Sequence, residues 1–331
     1  MSPAPPLSNT RARLPAASPL AAAFVVLVGG VWGLYWFPLR KLEALAAAGP
    51  WTTLAVVLTG CLCLAPFAWS GRSRLAASNN RALASIALGG ASFVLYSDGL
   101  LYGQVAVVIL FFYLTPVWST LIVRFWLKWP VSGWRYAAIA SGLLGIGLVL
   151  RDSHPGGLPL PRTLGDLLGL ASGLLWSIAS TGMFVHTSTR PAETNFVFCV
   201  GGAAMAAVLG IFLAPLPKGI PAQDYLAVSG WTLLLGGFCW ALSLTAFMWV
   251  TRILEPARIG ILLMSEVIVG AASAALFTDE PFTPIMTAGA VLVIAAGFLE
   301  SMSGLSLRKK RFEQGVKPDE LDLRRRSRSF F

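Results

Sequence analysis

The stretch FVVLVGGVWGLYWFPLRKLEALAAAGPW, residues 24–51, begins as an apolar run and changes character at Pro38, where Leu39, Arg40 and Lys41 follow. A hydrocarbon core about 30 Å thick takes roughly 20 apolar residues in helical form. With the apolar residues that precede it, this run is long enough for that task. It is also longer than the apolar region of a cleavable leader, about 7–15 residues, and many further apolar runs follow, so it is expected to be retained as a span. Gly29 and Gly33 stand four residues apart, a small-xxx-small spacing that lets a second helix approach closely. Trp32 and Tyr35 flank that face. Trp36 stands nearer the polar end, where it is expected in the aromatic belt at the membrane surface.

The rest of the chain has the same character. Of 331 residues, 56% are hydrophobic and 12% are charged, against about 25% charged in an ordinary soluble domain. The mean hydropathy is +0.71. Such a chain cannot cover its outside with polar groups, and lipid is the solvent that fits. The net charge of +10 does not point to nucleic acid, because the basic residues lie in short stretches between apolar runs. Cys61, Cys63, Cys199 and Cys239 all lie within apolar runs, where a thiol behaves as a small hydrophobe. No metal or disulfide framework is expected from them, and no cofactor.

Ten runs are long enough to read as helical spans, near 19–39, 51–70, 82–102, 104–127, 134–150, 164–185, 194–214, 225–250, 256–278 and 282–303. None shows the alternation of a barrel strand. Thr283-Pro284 and Pro256 read as helix starts. With the N-terminus inside, 20 of the 25 Lys and Arg residues fall on the inner side and 5 on the outer. By the positive-inside rule both termini are expected in the cytoplasm. The basic tail after residue 303 fixes topology or touches anionic lipid headgroups.

The chain also resembles itself. A shift of 144 residues lays Gly29 and Trp32 on Gly173 and Trp176, and a shift of 150 lays FFYLTPVWSTLIVRFWLKWPVSG (111–133) on ILLMSEVIVGAASAALFTDEPFT (261–283). Two similar five-helix units, each with an odd number of spans, must enter the membrane from opposite sides. Inverted repeats of this kind are typical of transporters, with substrate bound near the midplane. The expected architecture is an all-α membrane protein of ten transmembrane helices, as two inverted five-helix repeats around a central cavity. Its parts are a tail at 1–18, repeats at 19–150 and 164–303 joined by an outer linker at 151–163, and a basic tail at 304–331.

The segments VAVVILFFYLTPVWSTLIV and EPARIGILLMSEVIVGAASAALFTDEPFT, with GGVWGLYW and GLLWSIAS at the starts of the two halves, resemble the EamA-type, ten-helix members of the drug/metabolite transporter superfamily. That resemblance implies a basket of helices in a bacterial inner membrane, moving small metabolites, often amino acids, outward. It also implies a Glu in the loop after the fourth helix of each half. Glu280 fits, whereas Trp129-Pro130 occupies the corresponding place in the first half.

An ionisable group deep in a span is a functional candidate. Glu266 lies about ten residues into the ninth run, beside Ser265. Its expected role is to bind a proton or a cationic part of the substrate, the alternative being a structural carboxyl bonded between helices. Its repeat-mate Pro116, in Tyr113-Leu114-Thr115-Pro116, suits a hinge or a packing kink. Trp32, Trp176 and Trp240 stand at mid-depth on separate spans, and with Tyr35, Tyr113, Thr115 and Ser243 they are candidates to line a pocket. Aromatic walls bind apolar groups and, by cation–π attraction, ammonium; lipid-facing Trp is the alternative. Asp98 and Arg40 are candidates for an outer ion pair, unless Asp98 simply reaches the interface.

The leading expectation is a secondary transporter for a small molecule, a monomer because a ten-helix basket needs no partner to enclose a cavity, with protons as a candidate coupling ion and lipids as neighbours. The alternatives are an intramembrane enzyme and a non-transporting sensor or scaffold. No HExxH, GxSxG or P-loop pattern is present, and the two His residues, His154 and His186, lie in a loop and at a span end, so catalytic machinery is not expected.

Overall fold

The structure, a computed structural model, describes residues 19–46, 48–126, 133–153, 160–183, 189–217, 219–254, 256–278 and 283–313. His154, His186, Trp129-Pro130, Glu280 and both chain ends lie outside these residues. Within them every element is helical. The order is α1 (Pro19–Gly33), α2 (Trp36–Ala46), α3 (Pro50–Ser70), α4 (Arg72–Ala76), α5 (Asn80–Tyr102), α6 (Val105–Phe112), α7 (Thr115–Leu121), α8 (Gly133–Ser153), α9 (Leu164–Met183), α10 (Pro191–Leu213), α11 (Tyr225–Leu233), α12 (Leu244–Val250), α13 (Pro256–Leu262), α14 (Met264–Phe277) and α15 (Pro284–Glu313). Among the described residues seven helical stretches are long and apolar enough to cross a membrane, and Val105–Leu121, Leu164–Ser180 and Pro284–Leu299 are shorter apolar helices. Leucine, valine and phenylalanine face outward along many of them, as lipid contact requires. α15 runs past residue 303, where the sequence suggested that the tail begins, and ends at Glu313.

Several of the expected single helices are broken, and the breaks have local causes. A proline ring clashes with the carbonyl four residues back and offers that carbonyl no N–H. Four residues before Pro38 is Leu34, and the helix breaks there between α1 and α2. Four before Pro116 is Phe112, the last residue of α6. The Phe112 carbonyl is instead taken by the Thr115 hydroxyl at 2.7 Å. Between α13 and α14 no proline intervenes; Ser265 Oγ donates to the Leu262 carbonyl at 2.9 Å. Leu234–Ser243, between α11 and α12, is wound as a π-helix. There the Asn195 amide of α10 donates to the carbonyls of Trp240 and Ala241 at 2.8 and 3.2 Å, which satisfies backbone groups that a π-segment presents differently from an α-helix.

Packing follows a pattern. α1 lies on α14, and α9 lies on α6 and α7. α5 packs on α9 and α10, while the π-segment packs on α3 and contacts α1. α3 meets α10, α6 meets α14 and α8 runs along α15. Pairing α1 with α9, α3 with α10, α5 with the π-segment, α6 and α7 with α14, and α8 with α15 maps each of these contacts onto one of the same set. The match is unequal in one place: α5–α9 is extensive, and its counterpart, α1 against the π-segment, is slight. The α8–α15 seam is reciprocal in detail. A Cβ at Gly145 would lie 2.6 Å from the Gly289 carbonyl oxygen, and one at Gly289 would lie 2.6 Å from that of Gly145. Small residues there allow the backbones to touch.

Candidate functional site

The breaks bring three elements together around one carboxyl. Glu266 is in the first turn of α14 and only 2% exposed. Tyr113, at the break after α6, donates its hydroxyl to Glu266 Oε2 at 2.7 Å. That hydroxyl also lies 3.1 Å from the Leu263 carbonyl, at the break before α14. Tyr96 of α5 donates to Oε1 at 3.1 Å. Each carboxylate oxygen thus has a phenolic partner from a different span. A buried carboxyl requires such partners, since leaving one oxygen unmatched costs about 1–3 kcal/mol or more.

A seat of small residues holds α14 in place. A Cβ at Gly33 would fall 2.7 Å from the Glu266 carbonyl oxygen and 2.8 Å from the Gly270 nitrogen. At Gly29 it would collide with Ser265 Oγ. The close approach expected from the Gly29/Gly33 spacing is therefore made, and α14 is the helix that makes it.

Around the carboxyl lies a continuous aromatic cluster. Phe93 of α5 is at its centre, with ring centroids 5.6 Å from Trp32, 5.8 Å from Tyr96, 5.9 Å from Phe198 and 5.6 Å from Trp240. Phe112 links Tyr96 at 5.0 Å to Trp176 at 6.1 Å. The polar edges are paired inside the cluster. Trp32 Nε1 donates to Ser243 Oγ at 2.9 Å, and Trp240 Nε1 donates to the Tyr35 hydroxyl at 3.0 Å. Ser97 lies 3.3 Å from the same hydroxyl.

Residues 19–151 match the model of the EamA-like transporter family. The match covers the first part of the chain, and over those residues the chain is similar to that family. The family is one of membrane transporters in the drug/metabolite transporter superfamily, and the apolar helices agree with an integral membrane protein. No curated protein matches the chain. One solved crystal structure resembles it with a TM-score of 0.50 and 18% sequence identity, over 84% of this chain and 96% of its own; a likeness at that identity concerns the fold alone.

In this chain Trp32, Tyr35, Tyr96, Trp240, Ser243 and Glu266 form one buried assembly, with Tyr113 and Trp176 half-buried at its margin. These side chains touch one another, so the expected open chamber is filled by aromatic groups in this conformation; Trp240 is 0% exposed. Three expectations need correction. Trp36 is not in the surface belt: it is 3% exposed and its Nε1 donates to Ser273 Oγ of α14 at 2.9 Å. Ser265 and Thr115 do not line a pocket but hold backbone carbonyls at the two breaks, and Ser265 also reaches the Val26 carbonyl of α1 at 3.2 Å. Asp98 and Arg40 take different partners. Asp98 Oδ1 accepts from Thr53 Oγ1 at 2.5 Å, while Arg40 donates to the carbonyls of Leu100 and Gly103 at 2.9 and 2.7 Å. Those carbonyls end α5 without intrahelical donors, and a guanidinium fork matches them well.

Sequence reasoning passed over Tyr96, Ser97, Phe93 and Asn195. A signal was present in Tyr96-Ser97-Asp98, three successive polar-tipped residues inside an apolar run. On a helix such neighbours point to different faces, and here they reach α14, the α1–α2 break and α3 in turn.

Proposed function

We propose that the chain is a secondary transporter that moves a small metabolite, an amino acid or a related solute, outward across the bacterial inner membrane by alternating access. In this reading ten spans form two inverted repeats, 19–150 and 164–303, with both termini in the cytoplasm. The contact pattern that maps onto itself supports the repeat, as does the family match ending one residue beyond the first unit. One observation carries the functional reading: Glu266, buried at mid-span, is held by hydroxyls from α5 and from the repeat-related break at Tyr113. A carboxyl so placed binds a proton or an ammonium group, and aromatic faces beside it accept apolar or cationic parts of a solute.

The packed state corresponds to a closed form. Entry of a solute separates the Trp32–Ser243 and Trp240–Tyr35 pairs, which join spans of different halves. On the cytoplasmic side Arg74 of α4 forms an ion pair with the buried Glu193 of α10, whose Oε2 also accepts from the Arg190 amide at 2.9 Å. That pair links the two halves and closes the inner end.

A metabolite screen of cells that overproduce the protein nominates solutes. Counterflow of those labelled solutes in proteoliposomes then tests the proposal. Exchange above that of protein-free vesicles is the expected result; none for any nominated solute leaves the scaffold reading instead.

A further inference from the structure

Asp98 is another carboxyl buried among the described residues, at 0% exposure, and no role above rests on it. Its Oδ1 is matched by Thr53, whereas Oδ2 is buried and has no hydrogen-bond partner among the described residues. The groups that face it are these. Thr53 comes from α3, and Glu43 from α2. Tyr35 stands at the α1–α2 break and Tyr102 on α5 itself. None of these is a cation, and Arg40 of α2 directs its guanidinium to the carbonyls of Leu100 and Gly103. Glu43 is committed to the Gly49 amide at 2.8 Å and the Thr52 hydroxyl at 2.7 Å. An ionised carboxyl without a second donor or a cation is too costly to bury for structure alone.

We propose that Asp98 is a second exchangeable-proton site, set on the outer side of Glu266. A proton satisfies the charge while the bundle is closed, and water replaces it at Oδ2 when the outer end opens. Asp98 and Tyr96 are two residues apart on α5, so a movement of that helix acts on the Glu266 tyrosine and on the Asp98 pocket together. The inference rests on the transporter reading for the timing of opening. Proton occupancy itself is read without any transported solute.

The test is infrared difference spectroscopy of the full-length protein in liposomes, titrated with pH. Two carboxylic-acid carbonyl bands that disappear as pH rises are expected. Glu266→Gln removes one of them and Asp98→Asn the other. Thr53→Val keeps both carboxyls but removes the hydroxyl from Asp98, so it shifts the Asp98 band and leaves the Glu266 band in place. Survival of the Glu266 band in Asp98→Asn reports an intact fold, and Thr53→Val decides the matter where that variant does not fold. A titrating spectrum unchanged by Asp98→Asn, or by Thr53→Val, overturns the proposal. Bands as expected with no counterflow of any solute would leave the proton site standing and remove the transporter reading.

Discussion

The two broken helices, α6–α7 and α13–α14, do similar structural work with different chemistry. Each has a helix seated on it through glycine. Gly33 of α1 presses on the backbone at Glu266 and Gly270, and a Cβ at Gly173 of α9 would lie 2.9 Å from the carbonyls of both Phe111 and Phe112. Each has a hydroxyl three residues on that takes a carbonyl freed by the break, Thr115 in one and Ser265 in the other. At the next position they part. The first has Pro116, which makes the break and contributes no charge; the second has Glu266, which the first break then supplies with Tyr113. The two regions share the seat and the kink, while the carboxyl is present at one of them only. Both breaks shape the scaffold, and one of them carries an acid with its phenol donor supplied by the other.

That contrast can be pressed from its strongest consequence to its weakest. Gly33→Leu and Gly173→Leu force a side chain into backbone at each seat. Overpacking alone costs about 1–3 kcal/mol, and more where no flexible side chain can give way. Both variants are expected to lose most folded protein in detergent, seen by size-exclusion and thermal unfolding; loss at one seat only would break the equivalence. Tyr113→Phe keeps the ring but leaves Glu266 Oε2 without its phenol. A hydrogen bond to a charged or buried carboxyl contributes about 1.5–3 kcal/mol, so flux should fall about 10- to 100-fold with the fold retained. Tyr96→Phe removes the longer bond and should cost about tenfold or less in the same flux assay. Pro116→Ala is the mildest. The Thr115 hydroxyl still holds the Phe112 carbonyl, and flux is expected to stay within about threefold of the wild type. A large loss there would mean that the proline hinge, not the acid, governs the cycle.

Much of the scaffold was legible in residue spacing. Apolar runs of membrane length and the Gly29/Gly33 pair both depend on local pattern, and the structure uses both. The candidates Glu266, Tyr113, Trp240, Tyr35 and Ser243 came from polarity or aromaticity at depth, and the structure brings them into one assembly. The donors to Glu266 were harder to see as a set. Tyr96 lies 170 residues away and Tyr113 lies 153, and no periodicity in one span tells which face of another it will meet. Trp36 misled for a related reason. Depth counted along an unbroken helix places it at the surface, but the break that Pro38 causes at Leu34–Tyr35 redirects α2 and turns the indole to Ser273. Arg40 and Asp98 failed as a pair because opposite charge suggested attraction, whereas the unmatched carbonyls at the end of α5 were nearer claims on the guanidinium.

The most direct test of the account is solute flux through Glu266→Gln in proteoliposomes, at matched protein content, with and without an imposed pH gradient. Gln is nearly isosteric and can still bond to Tyr96 and Tyr113, so the fold should survive while the ionisable group is gone. The account predicts loss of concentrative flux and of its response to the gradient. Flux and gradient response equal to the wild type would show that the buried acid merely braces the helices.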